Sequence, residues 1–237
     1  DYSLKSLKAC ISGGAPLPLE IRQRFEQKTG CVLVEGYGMT ESSPVISANP
    51  VTGENRAGTV GLPFPGTAVK ILDKESGEEL SNGKIGELCV KGPQVMLGYF
   101  NNTQENYAAL KEGWLHTGDL AFIDEDGYIH IVDRLKEMIL VGGFNVYPRN
   151  VEEALHKHEA VLEVAVLGQQ DEYLGQKVTA YIVLKEGYVF EEDKMRAFLK
   201  EYLAPYEIPK KFNCMKSLPK TICRTNCLFM ERCYPIN

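Results

Sequence analysis

No stretch of this 237-residue chain is apolar for long enough to cross a bilayer, which takes about 20 consecutive apolar residues in a helix. Peripheral contact with a membrane surface stays open. A basic excess is lacking too, since 26 Lys and Arg stand against 32 Asp and Glu, a net charge of -6. Nucleic acid is therefore not expected as a partner, because phosphate backbones are bound through clustered Lys and Arg. Tryptophan occurs once, at Trp114, where core packing is the expected role. The first residues, Asp1-Tyr2-Ser3-Leu4-Lys5, hold neither an initiating Met nor a signal-like apolar core, so the segment reads as the middle of a longer protein.

Paired C-x-x-C spacing is absent among the seven cysteines, which removes the usual framework for a structural zinc site. Cys10, Cys31 and Cys89 sit in apolar or strand-like settings and are expected as buried free thiols. Cys214, Cys223, Cys227 and Cys233 crowd the end of the chain. An odd count without a secretory signal argues against a disulfide scaffold, so a reducing, cytoplasmic location is expected. What the chain does have is an ordinary globular mix, 44% apolar and 24% charged, and a length sufficient for one large or two modest domains.

Along the chain, Ala9-Cys10-Ile11 leads through the turn Ser12-Gly13-Gly14-Ala15-Pro16 into a helix with Pro18 in its first turn. Leu17, Ile21 and Phe25 recur on one face of that helix, and Thr29-Gly30 closes it. A buried strand over Cys31-Val32-Leu33-Val34 then delivers a Gly-rich loop, Glu35-Gly36-Tyr37-Gly38, at its C-terminal end. That is where α/β proteins tend to hold nucleotides. From Gly58 to about Asp133 the pattern changes to short strands at 69–72, 87–91 and 128–132, punctuated by Gly, as in hairpins or a small antiparallel barrel.

A second, α+β unit follows. Asn150 and Glu153 resemble a capping box ahead of a helix whose face carries Val151, Ala154, Leu155 and His158. Val161–Leu167 and Val178–Leu184 are β-branched strands. Glu191–Leu203 is an amphipathic helix with Met195, Phe198, Leu199 and Tyr202 inward, and Glu191, Glu192 and Asp193 at its positive end.

Four short motifs recur in order: Glu35-Gly36-Tyr37-Gly38-Met39-Thr40-Glu41, His116-Thr117-Gly118-Asp119, Asp133-Arg134-Leu135-Lys136-Glu137 and Gly142-Gly143-Phe144-Asn145-Val146-Tyr147-Pro148. Together, in this order and at these separations, they resemble the adenylate-forming (AMP-binding) enzymes, with the wording nearest to long-chain fatty acid–CoA ligases. The resemblance implies an α/β plus α+β fold. Residues 1–133 would be the C-terminal part of the large AMP-binding domain, an α/β piece and a small β-barrel. Residues 134–137 would form a hinge about Lys136, residues 138–221 a small C-terminal domain, and residues 222–237 an atypical tail.

The resemblance also implies roles. Tyr37 would lie against adenine, with Gly13, Gly14, Ala15 and Pro16 forming the opposite wall of the slot and Glu35 also among the nucleotide-binding residues. Gly36 and Gly38 would let the backbone approach the nucleotide. Thr40 would hydrogen-bond the α-phosphate, Glu41 would ligate Mg²⁺, and Asp119 and Arg134 would hold the ribose of ATP or AMP. Gly142, Gly143 and Phe144 would line the passage for the pantetheine arm of coenzyme A. The reaction implied is activation of a carboxylic acid, a fatty acid by this wording, as acyl-AMP, followed by transfer to coenzyme A. Plainer readings stand beside these: an N-capping Thr, a solvated Glu, an Asx turn at Asp119, and an ordinary β-turn at Gly142-Gly143.

Two family parts are not found. The chain contains no Gly-x-Thr-Gly-x-Pro-Lys phosphate loop, so the resemblance implies a missing N-terminal half. Leu218-Pro219-Lys220-Thr221 starts the family's closing motif, but an ungapped comparison puts Arg224 where Gly belongs and Thr225 where the catalytic Lys belongs. The chain alone is therefore expected to be a weak or inactive catalyst. A non-catalytic nucleotide-binding fragment or degraded paralogue, and an aryl- or short-chain acid–CoA ligase, are the alternatives.

Overall fold

The computed structural model describes residues 4, 6–17 and 19–219. Pro18, and the expectations about Lys220, Thr221, Arg224, Thr225 and the late cysteines, lie outside the described residues. The chain divides into two compact units, Asp1–Val132 and Asp133–Asn237.

The first unit begins with strand β1 (Ala9–Ser12), helix α1 (Leu19–Thr29), and strands β2 (Val32–Gly38), β3 (Val45–Ala48) and β4 (Leu62–Pro63). These four strands form one sheet in the order β1-β2-β3-β4, with β1 and β2 parallel and the rest antiparallel. A parallel pair needs a crossover, and α1 supplies it. Leu17 lies ahead of α1 rather than on it, and of the expected face Phe25 is half-buried while Ile21 is exposed; no residue of the helix is buried. The helix meets β2 at its edge, where Glu26 Oε1 accepts the Leu33 amide at 2.9 Å.

Strand β5 (Ala68–Leu72), β6 (Gly86–Lys91), helix α2 (Thr103–Ala109), β7 (Leu110–Lys111), β8 (Trp114–Ile123) and β9 (Ile129–Arg134) follow. The second sheet runs β5-β6-β8-β7, with β9 also paired to β8. Ile46 of the first sheet and Ile71, Leu88, Val90, Ala121 and Ile129 of the second share one buried core, against which Tyr37 and Met39 pack. The second sheet accords with the expected small β structure. Trp114 departs from expectation: its ring is half-buried, with Lys70 Nζ 4.4 Å and Lys91 Nζ 5.9 Å from its centroid. An indole flanked by two ammonium groups gains cation–π attraction that a dry core would not offer. Cys31 and Cys89 are buried free thiols as expected, while Cys10 is half-buried.

The second unit contains β10 (Ile139–Val141), β11 (Phe144–Val146), helix α3 (Pro148–His156), β12 (Val161–Asp171), β13 (Gly175–Leu184), helix α4 (Glu192–Leu199) and β14 (Lys211–Cys214). Its sheet runs β11-β10-β13-β12, with β14 parallel to β13. Alternate residues of β12 and β13 (Val164, Val166, Val178, Ala180, Ile182) face α3 and α4, whose Val151, Leu155, Met195 and Leu199 complete the core.

The expected capping box is not formed. Helix α3 starts earlier, with Pro148 at its first position and Tyr147 as a cap that offers no side-chain bond. Asn150 Nδ2 donates instead to Glu207 Oε1 at 3.0 Å. The cap comes from outside the local sequence: buried Asp133 accepts the Arg149 amide at 3.0 Å and its neighbour Arg134's amide at 2.7 Å. A carboxylate at a helix N-terminus satisfies an orphan donor and complements the helix dipole. Helix α4 is also shorter than expected, and Tyr202 lies beyond it, exposed, with its ring 5.0 Å from that of Phe198.

Glu152, on α3, is mostly covered and accepts the Val166 amide at 2.8 Å. Burial, aided by Asp133 and Glu137, pushes its pKa from 4.5 up to about 7. A carboxyl with a raised folded-state pKa stabilises the fold below its unfolded pKa, and that contribution is lost as pH climbs towards the folded value. Between pH 5 and pH 8 the second unit should thus lose roughly 1–3 kcal/mol through this group. Glu152→Gln keeps the acceptor and should flatten that loss, measured as urea midpoints at the two pH values; an unchanged pH slope would contradict the assignment.

Candidate functional site

The strand β2 is longer than the sequence pattern implies. Rather than ending at Val34 and leaving a Gly-rich loop, it continues through Gly38, with Gly36 opposite Ala48 and Tyr37 opposite Ser47 on β3. Backbone pairing with β3 accounts for the extension, and no local propensity announced it. Tyr37 is therefore a strand residue, and its half-buried ring reaches from the first sheet to the second: Tyr37 Oη donates to Asp119 Oδ2 at 2.5 Å.

Gly38 is required by the protein itself, and Gly36 is tightly enclosed. A Cβ on Gly36 would stand 2.7 Å from Ile11 Cδ1, and one on Gly38 would lie 1.8 Å from the Pro44 carbonyl oxygen. The turn at Gly13-Gly14-Ala15-Pro16 is held against the same strand. A Cβ on Gly13 would approach the Gly36 carbonyl oxygen to 3.2 Å, and the Leu17 amide donates to Glu35 Oε1 at 3.1 Å. Gly14 takes a positive φ of 83°, and residues 13–16 are exposed. The exposed turn, Glu35 and Tyr37 thus lie at one end of the β1–β2 pair.

Asp119 is likewise a strand residue rather than part of a free turn. Glu87 pairs with Leu120 and Cys89 with His116, so Thr117, Gly118 and Asp119 bulge opposite the single residue Leu88. Gly118 supplies the positive φ of 72° that such a bulge needs. The short helical turn Thr40–Ser42 follows β2. Thr40 is exposed, and Glu41 accepts a hydrogen bond from Tyr99 Oη at 2.7 Å on Oε1, while Met96 N donates to the Glu41 carbonyl. That bond to Glu41 raises the Tyr99 pKa to about 12, so the phenol stays protonated as a donor. Oε2 of Glu41 takes part in none of the side-chain hydrogen bonds among the described residues. A half-buried carboxylate oxygen of this kind is the hard donor that Mg²⁺ accepts. Tyr99 was not legible as a site residue, since nothing in the sequence ties it to a glutamate 58 positions earlier.

Arg134, Lys136 and the 142–144 segment belong to the second unit. Arg134 and Lys136 are exposed, Arg134 at the start and Lys136 in the middle of a tight turn in which the Glu137 and Met138 amides donate to the Arg134 carbonyl. Gly142 and Gly143, at φ 58° and 88°, make the two-residue turn of the β10–β11 hairpin. Positive φ at both central positions is the type I′ requirement, which accounts for both glycines on backbone grounds. Phe144 stands beside them, exposed, stacked on Tyr206 at 4.6 Å between ring centroids.

Comparison with known proteins agrees with this architecture. The family model described as AMP-binding enzyme matches residues 1–100, and that described as AMP-binding enzyme C-terminal domain matches residues 150–223. The chain belongs to the AMP-binding enzyme family. A Bacillus subtilis relative named long-chain-fatty-acid–CoA ligase is 49% identical over 220 residues, 93% of this chain and 39% of that protein. The chain thus spans about two fifths of that curated relative's length. Among solved structures, ATP-bound MatB from Rhodopseudomonas palustris superposes with a TM-score of 0.85 at 37% identity, over 90% of this chain and 42% of that one. The o-succinylbenzoate CoA synthetase of Bacillus subtilis, in complex with its acyl-adenylate OSB-AMP, gives 0.83 at 33% identity, over 95% and 46%. These neighbours are adenylate-forming enzymes, and the mixed α/β sheets of this chain are of their fold class.

If the glycines of β2 serve packing, Gly38→Ala should destabilise the first unit by at least about 2 kcal/mol, read from urea denaturation. Unchanged stability accompanied by lost nucleotide binding would instead assign Gly38 to the ligand.

Proposed function

We propose that this chain carries the adenylate-binding face and the small mobile domain of an ATP-dependent acid–CoA ligase, with a fatty acid as the acyl substrate. The observation that supports this most is the meeting of Tyr37 with Asp119, beside the turn that Glu35 holds in place. An aromatic face next to a fixed carboxylate suits a nucleoside. The ring stacks on the base, contributing about 1–3 kcal/mol, and the carboxylate accepts hydrogen bonds from the ribose hydroxyls.

In this reading a carboxylate oxygen of the acid attacks the α-phosphorus of ATP and expels pyrophosphate, giving acyl-AMP. The thiol of coenzyme A then attacks the acyl carbonyl and releases AMP. Positioning and charge stabilisation carry such chemistry. Thr40 donates its hydroxyl to the α-phosphate. Glu41, aimed by Tyr99, would hold Mg²⁺, which when bound neutralises phosphate charge. Arg134 adds a second contact to the ribose. Rotation about Lys136 presents the Gly142-Gly143-Phe144 hairpin to the pantetheine arm. Glycine at both turn positions leaves no side chain in the path, and Phe144 offers an apolar wall.

The fatty acyl assignment follows the naming of the Bacillus subtilis relative. An aryl acid is the second reading, favoured by the likeness to a structure holding an o-succinylbenzoyl adenylate. Thioester formation from palmitate, benzoate and acetate by a full-length version separates the two.

AMP binding to this chain, measured by calorimetry, should weaken about tenfold or more in Asp119→Ala, because a hydrogen bond to a charged group contributes about 1.5–3 kcal/mol. Equal affinity in both proteins would remove the site. Pyrophosphate release by the chain alone should be feeble; robust turnover would contradict the expectation drawn from the absent phosphate loop and from Thr225.

A further inference from the structure

The bulge that carries Asp119 raises a question of support. Where three residues stand opposite one, ladder hydrogen bonds are lost, and the freed backbone groups need other partners. Thr117 Oγ1 donates to the Leu88 carbonyl at 2.8 Å, and the same oxygen accepts the Asp119 amide at 3.1 Å. The Gly118 amide, at the apex, donates to Glu87 Oε1 at 3.1 Å. The other oxygen of that carboxylate, Oε2, lies 2.8 Å from His116 Nδ1, at the residue where the bulge begins. One side chain therefore pins both the start and the apex.

Cys89 completes the surroundings. Its Sγ is 3.6 Å from the same imidazole nitrogen, and burial together with the Glu87 charge pushes its pKa up to about 12, so it remains a neutral thiol. The acceptor at this point of the sheet is the Glu87 carboxylate. Glu87 is itself half-buried on a strand whose other central residues, Leu88, Cys89 and Val90, are fully buried. A charged residue in such a strand calls for a partner, and here the partners are the backbone and side chain of the segment that presents Asp119.

We infer that Glu87 is a positioning residue for the ribose contact: by holding the Gly118 amide and His116, it fixes the bulge that aims Asp119 at the sugar hydroxyls. The inference rests on the reading of Asp119 as the ribose ligand. It predicts a selective effect. Loss of Glu87 should remove recognition of the hydroxyls without removing recognition of the base, because Tyr37 is anchored in a different strand pair.

The test compares AMP with 2′,3′-dideoxy-AMP, by ligand-observed NMR titration of this chain and its variants. The unsubstituted chain should favour AMP by about tenfold, the scale of hydrogen bonds to a charged acceptor. Glu87→Ala should bring that ratio close to one while leaving dideoxy-AMP binding within about twofold. Glu87→Gln, which retains a carbonyl oxygen for Gly118 and an amide for His116, should restore most of the ratio. Should Glu87→Ala fail to fold by circular dichroism, Glu87→Asp, one methylene short of the bulge, should lower the ratio to an intermediate value. Equal weakening of both nucleotides would make Glu87 merely structural, and an unchanged ratio would overturn the inference outright. Asp119→Ala distinguishes the two levels. If it leaves the ratio intact, or if the unsubstituted chain shows no preference, the ribose reading itself falls; if it collapses the ratio and the Glu87 variants do not, only the positioning role does.

Discussion

The hydrogen bond from Tyr37 to Asp119 joins two sheets whose contributing segments lie 82 residues apart. Neither partner is on a free loop. Tyr37 is fixed by pairing of β2 with β3, and Asp119 by the bulge of β8 against β6. The shared apolar core beneath, with Ile46 from one sheet and Leu88, Val90 and Ile129 from the other, keeps both strands in register. A site built on strands is held more tightly than one built on loops, and preorganisation of this sort is what discrimination between similar ligands requires.

Two candidate site carboxylates are each met by a tyrosine hydroxyl, Asp119 by Tyr37 and Glu41 by Tyr99. A phenol donor leaves the carboxylate its charge while restricting its rotamers. Second partners of this type set the direction and basicity of a ligating group, which is why their loss can matter as much as loss of the ligand itself. The glycines that frame the site do related work. Gly36 and Gly38 let strands approach each other, and Gly142 and Gly143 let a hairpin close, so their need is already met by the protein before any ligand enters.

Local pattern carried the reading furthest where one face of an element is covered by its own unit. The strands at 69–72, 87–91, 161–167 and 178–184 and the apolar face of α3 at Val151, Ala154 and Leu155 were legible from alternation, β-branching or helical spacing, while His158 falls beyond the helix. It carried least where a distant segment decides the outcome. Extension of β2 through Tyr37 depends on β3, and the cap of α3 depends on Asp133, sixteen residues upstream. Trp114 illustrates a third limit, because hydrophobicity alone does not separate a core ring from one held between two lysines. Most of the candidate site residues lie in four spaced motifs, and the Gly13–Pro16 turn lies outside them. Their supports, Glu87 and Tyr99, stayed hidden because each acts across a gap that no motif spans.

The account stands or falls on whether a nucleoside occupies the face formed by Tyr37, Asp119 and the Gly13–Pro16 turn. Intermolecular nuclear Overhauser effects between AMP and this chain test that directly. Contacts from adenine H8 or H2 to the Tyr37 ring and to the Ala15 methyl are predicted, with ribose protons nearest the Asp119 bulge. AMP contacts confined to other residues, or a Tyr37 ring that senses no ligand at saturating AMP, would contradict it.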